Sequence, residues 1–504
     1  MSVRRPSKEQ LRAVANELNF DLASDELDLF HALVATNFRA LDALDGMPDF
    51  LPSVVYPRTP GLRPPAHQNP HNGWYVRSKV KGAPEGKLLG KTIALKDNIC
   101  LAGVPMMNGS STLEGYMPDV DATVVTRILD AGGTILGKTN CEHFCLSAGS
   151  HTNPTGPTHN PHRRGYTTGG SSSGSAAVVA AGDVDMALGG DQGGSIRVPA
   201  SHCGIYGLKP THGLVPYSGI MSVEMTLDHV GPMTRSVAEN ALLLEVIAGP
   251  DGLDPRQQRG RHSTDYRSAV GIGVESLRVG ILAEGFGHGN SEPDVDEKVR
   301  AAAQEFGKLG ATVEEVSVPL HALAPALWLT IAAEGGTAAM MNGNVFGTGW
   351  KGLYVTSLRD AHAGWRHRAN QLSDPLKIVM LLGQYLTTHH GGHFYAKAQN
   401  LSRLLSAAYD KAFASYDLLL LPTSPAKAQP IPDSSRTTGI AAAVGSLANT
   451  CAFNVSGHPA MSVPCGMSDG LPVGMMLVAK PFGEHTLYRA AGGFERCVDW
   501  TSQQ

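Results

Sequence analysis

Residues 169–204 read GGSSSGSAAVVAAGDVDMALGGDQGGSIRVPASHCG, and two serines frame that stretch. Ser171 stands before SAAVVAAG, a run of small and apolar residues that reads as a buried helix. Ser195 follows the pair Gly193-Gly194 and precedes IRVPASHCG, a second short helix. A helix and a strand so close together are the grain of an α/β domain. Paired glycines let a backbone approach a ligand closely and leave successive N–H groups free to hold an oxyanion. The plain alternative for each serine is an N-cap beside a turn. A flexible linker is excluded for Ser171, because a packed helix follows at once.

Upstream, Lys96 ends the strand-like KTIAL of IALKDN. Its stem starts among apolar residues, so it is set apart from the usual solvated surface lysine. A serine hydroxyl is a weak nucleophile and needs a base within hydrogen-bond reach, and a buried lysine can serve as one. Beyond Lys96 the pattern alternates. Asp121 is expected to cap a helix carrying Val124, Val125, Ile128 and Leu129, Gly132-Gly133 ends it, and TILG resumes as a strand. RVGILAE at 278–284, a helix at about 293–309 and TVEEVSV repeat the theme, while 320–405 is mainly helical. YDLLLLPT and PAMSVPCG return to strands. The expected architecture is α/β, with a large mixed, mostly parallel sheet covered by helices on both faces.

The first fifty residues form a separate helical arm. Ser7 with Gln10 makes a capping box, Leu11, Val14, Ala15 and Leu18 form one apolar stripe, and Leu29, Phe30, Leu33, Val34, Phe38 and Leu41 form another. Prolines 52, 57, 60, 64, 65 and 70 follow and read as a linker. The expected domains are therefore 1–66, a helical arm suited to dimerisation, and 67–504, the catalytic body. A net charge of −4 with no basic run argues against a nucleic-acid partner. No apolar run is long enough to span a bilayer, and the N-terminus lacks a signal-peptide core. Seven scattered cysteines then read as reduced thiols in a cytoplasm. Cys141 and Cys145 lie four apart, but no second pair completes a zinc site. His389, His390 and His393 in HHGGHF read as a polar loop rather than a metal site, so no metal or cofactor is expected.

Two other motifs fail. GSSSG at 170–174 fits a nucleophile elbow around Ser172, but polar RRGYTTGG precedes it where a strand is required. No phosphate-loop pattern occurs.

Taken together, the block resembles the amidase signature family, whose hallmark is a GGSS segment, a GGS segment and an upstream strand lysine. Ser171 and Ser195 have that family's spacing, and the likeness runs from about 90 to 480 through CGIYGLKPTHGLVP, NVSGHPAMSVPCG and GLPVGMML. It implies Ser195 as nucleophile, Ser171 as a bridging serine held by a cis peptide, and Lys96 as terminal base. It implies an oxyanion hole at the N–H groups of Gln192, Gly193, Gly194 and Ser195. Asp191 and Arg197 match family positions too, and a pairing that holds the loop is the expectation for them. GDQGGS, where the family more often has TDTGGS, together with MMNGS at 106–110 and the helical arm, is similar to bacterial amidases linked to nitrile degradation. Ser173 stands where the family usually has glycine.

The implied activity is hydrolysis of an aliphatic or aromatic amide through an acyl-enzyme. The implied substrate contacts are Phe144, Leu146, Gln192 and Phe453, although the aromatic and leucine side chains read equally well as core. Two alternatives stay open: the amide-hydrolysing subunit of a glutamyl-tRNA(Gln) amidotransferase, and an anilide, carbamate or ester hydrolase of the same family. Expected partners are a small amide and a second copy of the chain, with no membrane.

Overall fold

Four consecutive leucines show how the central sheet is covered. Leu418 and Leu420 pack in one apolar cluster, and Leu419 and Leu421 in another, so their strand is buried on both faces. Met475 and Leu477 alternate with Met476 and Val478 in the same way, as do Ile93 and Leu95 with Ala94. The computed structural model describes residues 3–258, 265–432 and 445–502.

Its strands are β1 (Trp74–Lys81), β2 (Thr92–Lys96), β3 (Thr134–Thr139), β4 (Met186–Asp191), β5 (Tyr206–Lys209), β6 (His229–Thr234), β7 (Arg278–Leu282), β8 (Thr312–Val316), β9 (Leu418–Pro422), β10 (Ala460–Ser468) and β11 (Leu471–Val478). They form one sheet in the order β1-β3-β2-β4-β6-β5-β10-β11-β9-β7-β8. β2 runs parallel to β3 and β4, and β7 runs parallel to β8 and β9. Every other pairing is antiparallel. The sheet is thus mixed, and the expected parallel majority is corrected. Parallel pairing survives toward the two ends, where strand–helix–strand units recur. The middle is built from strands such as β10 and β11, joined by the tight turn Asp469-Gly470 with φ of 51° and 69°.

The chain divides into two units, Met1–Pro52 and Ser53–Gln504. The first holds helices Lys8–Glu17 and Ser24–Asp45, and the Ser7/Gln10 capping box is present. The proline-rich stretch, expected as a linker, is fastened to the larger unit. Leu62 bridges to Arg77, and Arg58 meets Asp121 at 2.5 Å. Asp121 therefore does not cap the Thr123–Asp130 helix, whose N-cap is Ala122; it accepts from Arg58 and from the Ala102 N–H.

No helix among the described residues is long and apolar enough to cross a membrane. His389, His390 and His393 sit at the corner between helices Asp374–His390 and His393–Phe413, where Gly391 and Gly392 take positive φ. Their rings pack with Tyr385 and Phe394, and among the described residues no cluster suited to a metal ion occurs.

Candidate active site

Lys96 is the last residue of β2, whose neighbours in the sheet are β3 and β4, and its side chain is fully buried. Its Nζ lies 2.7 Å from Ser171 Oγ and 3.1 Å from the Gly190 carbonyl. Ser171 is also fully buried and follows a cis peptide bond from Gly170. The helix Ser173–Ala180 starts two residues later, so the serine stands at the mouth of a rigid element. Ser172, the formal elbow serine, donates from Oγ to the Gly190 carbonyl and accepts the Gly190 N–H, both at 3.1 Å. Its hydroxyl is thereby committed to the end of β4. The Ser172 N–H also donates to the Ser195 carbonyl at 3.2 Å, tying the two serine segments together.

Ser195 follows β4 and precedes the helix Arg197–Cys203, which ends at the left-handed Gly204. Asp191 holds that turn: its carboxylate accepts from Ile196 N–H at 3.1 Å, from Arg197 Nε and Nη2 at 3.0 Å each, and from Asn454 Nδ2 at 2.9 Å. Burial alone would raise its pKa, but the Arg197 guanidinium and these donors hold the carboxyl down to about 2. The expected pairing of Asp191 with Arg197 is what the loop displays.

A second carboxylate shapes the approach to Lys96. Asp97 pairs with buried Lys138 at 3.0 Å and accepts the N–H groups of Met107 and Asn108, which pins MMNGS beside β2. Asn108 in turn accepts from the thiols of Cys141 and Cys145, both at 3.4 Å. Those cysteines do not share a helical face. Phe144 and Cys145 adopt left-handed φ of 44° and 62° in a short turn.

A cavity of about 120 Å³ opens beside Ser195 and Gln192. Leu146, Val223, Leu227, Trp328, Ala332 and Leu447 line it, and among the described residues no charged side chain does. Of the sequence-derived substrate contacts, Leu146 and Gln192 reach it. Phe144 lies elsewhere, packed edge-on between His143 and His362, and Phe453 is buried against Tyr409 and His321. The left-handed turn swings Phe144 inward, which its position in the sequence does not disclose. Trp328 carries no local signal in the sequence, and Thr450 lies in NTCAFN at 449–454, the stretch the family resemblance places near the acyl pocket, with nothing to mark its own contact. Trp328 Nε1 donates to the Gln192 carbonyl at 2.7 Å, and Thr450 Oγ1 donates to the Gly193 carbonyl at 2.6 Å. Only the packing of distant helices on the loop brings them there. The Gln192 amide itself donates to Tyr217 Oη at 2.9 Å.

A family model described as Amidase matches residues 75–488. An enantioselective amidase of Rhodococcus rhodochrous is 42% identical over 511 residues, covering 99% of this chain and 96% of that protein. A glutamyl-tRNA(Gln) amidotransferase subunit of Methanosarcina mazei is 39% identical over 432 residues, covering 84% of this chain and 88% of its own. Among solved structures, a glutamyl-tRNA(Gln) amidotransferase subunit from Thermotoga maritima matches with a TM-score of 0.73 at 30% identity, over 86% of this chain and 89% of that one.

Proposed function

The chain belongs to the amidase signature family and is a hydrolase acting on amides; from that premise we propose that its substrates are neutral carboxylic amides with an aryl or alkyl acyl group, cleaved to the acid and ammonia. The uncharged, apolar cavity beside Ser195 carries this reading. A buried apolar wall rewards an apolar acyl group and offers no counter-charge to an ionic one. Free glutamine, with its charged α-carboxylate and α-ammonium, is poorly matched to that lining. The amidotransferase-subunit reading is favoured by the 39% identity to the Methanosarcina mazei protein and by the TM-score of 0.73 to the Thermotoga maritima subunit.

In the proposed reaction Ser195 Oγ adds to the amide carbon while its proton passes to Ser171 Oγ. The Ser171 proton passes to Lys96 Nζ along the 2.7 Å contact. The N–H groups of Gln192, Gly193, Gly194 and Ser195 hold the tetrahedral oxyanion. Collapse breaks the C–N bond, the relay returns the proton to the leaving nitrogen, and ammonia departs. Water then adds to the acyl-enzyme through the same relay, and the acid leaves with Ser195 restored. Action in the cytoplasm as a homodimer completes the reading, the second part resting on the exposed apolar residues of the helices in Met1–Pro52.

The test is a hydrolysis panel of aliphatic amides, benzamide, anilides, esters and glutamine. Amides with apolar acyl groups should lead. Ser195→Ala and Lys96→Ala should each lower kcat by roughly a thousandfold or more with the fold intact. Glutaminase activity that appears only with partner subunits and ATP would instead establish the amidotransferase reading.

A further inference from the structure

In a trans peptide unit the C=O and N–H point in opposite directions, so whatever holds the carbonyl also aims the N–H. Four successive carbonyls around the Ser195 turn are held in this way. Asp191 O accepts from Asn454 Nδ2 at 3.0 Å, Gln192 O from Trp328 Nε1 at 2.7 Å, Gly193 O from Thr450 Oγ1 at 2.6 Å, and Gly194 O from the Val198 N–H at 2.8 Å. The partner N–H groups, those of Gln192, Gly193, Gly194 and Ser195, donate to no protein acceptor among the described residues. Among the described residues four donors at one turn are thus unmatched, while all their carbonyls are engaged on the other side.

The first three holding groups come from outside the loop. Trp328 lies on the helix Ala324–Gly336, Thr450 is the N-cap of the short helix Cys451–Val455, and Asn454 lies within that helix. Glycine is required where they close in. A Cβ on Gly193 would meet the Trp328 ring at 2.8 Å, and one on Gly194 would meet Thr450 Oγ1 at 2.2 Å. Asn454 is shared, because its Oδ1 also accepts from Arg197 and its amide donates to the Asp191 carboxylate. Trp328 and Thr450 have the simpler role. Trp328 additionally forms part of the acyl cavity wall, so one indole touches both the acyl group's site and the loop.

We propose that Trp328 and Thr450, with Asn454, are positioning residues that aim the oxyanion-holding N–H groups by gripping the opposite carbonyls. This rests on the reading of Ser195 as nucleophile. Donors fixed in advance stabilise a developing oxyanion without reorganisation at the moment of reaction, so losing the grip weakens transition-state binding more than substrate binding.

The test compares wild type with Trp328→Phe, Thr450→Val and Thr450→Ser. One readout is kcat and KM on benzamide. The other is the rate at which a fluorophosphonate labels Ser195, where Oγ displaces fluoride from phosphorus without need of the natural substrate. Trp328→Phe and Thr450→Val should each lower kcat and the labelling rate by roughly tenfold or more, Thr450→Val with KM within about twofold, and Thr450→Ser should restore both rates. If wild type labels at Ser195 and the Trp328→Phe and Thr450→Val variants match it, the grip is overturned while the nucleophile assignment stands. Equal losses in Thr450→Ser and Thr450→Val, tracking a fall in Tm, overturn it as well. Failure of wild type to label at Ser195 removes the nucleophile reading and this inference with it.

Discussion

Asp191 has four donors on its two carboxylate oxygens and no contact with solvent. With its pKa held at about 2, the ionised form is what the fold stabilises. That contribution is fully present above the ordinary carboxylate value near 4 and is lost only as pH falls through about 2, so it is constant across the neutral range. Asp191→Asn keeps the size but leaves the Arg197 guanidinium buried without a counter-charge. Urea denaturation should show a loss of about 3–5 kcal/mol, and a loss under about 1 kcal/mol would contradict this role. Lys96 and Ser171 were legible in the sequence because a strand lysine and the paired glycine–serine segments are local patterns with fixed spacing. Phe144 and Phe453 show the opposite case. Nothing local marks the positive φ that takes Phe144 away from the cavity, or the packing that sets Phe453 against Tyr409.

Among the elements, the helices of Met1–Pro52 followed their apolar stripes closely, since a capping box and a period of 3.6 are readable without tertiary context. Leu29 and Leu33, one turn apart on Ser24–Asp45, remain 57% and 53% exposed in the single chain. Exposed leucines in register are what a second copy would cover in the proposed homodimer. Light scattering of the double variant Leu29→Glu/Leu33→Glu should give the mass of one chain where wild type gives that of two; an unchanged mass would exclude this face as the interface. Strands such as β2, β3, β7 and β9 were readable as apolar runs, whereas β1, β5, β6 and β11 were not read as strands, and the strand directions were not readable at all. Run length and composition are the same for a strand buried on both faces whether its neighbours run parallel or antiparallel, and only the connections decide.

Across the whole molecule, six histidines share one electrostatic environment. His143, His202, His212, His321, His362 and His458 are each pushed down to about 4, with desolvation the leading cause. At His362 burial lowers the pKa most, the bond from Nε2 to the Met340 carbonyl opposes it, and Arg366 adds to the lowering. Its other ring nitrogen has no hydrogen-bond partner among the described residues, so protonation would strand a buried donor. The unfolded chain takes up this proton below about 6.5 and the folded chain refuses it until about 4, so stability falls as pH drops through that window. His362→Gln should therefore reduce the loss of unfolding free energy between pH 7.5 and pH 5 by about 2 kcal/mol. Urea midpoints at the two pH values check this, and equal losses in variant and wild type would refute it.

The family, the helices of the arm and the candidacy of Lys96, Ser171 and Ser195 were readable from the sequence alone, because each rests on a pattern among neighbours in the chain. Three things were decided only by tertiary structure. These are the mixed order of the strands, the cavity built by Val223, Leu227, Ala332 and Leu447, and the grip of Trp328 and Thr450 on the loop before Ser195. The grip and the cavity join residues more than a hundred positions apart, and the strand order depends on pairings such as β5 with β10 and β7 with β9 that are as distant, so no local period, cap or turn signal marks them.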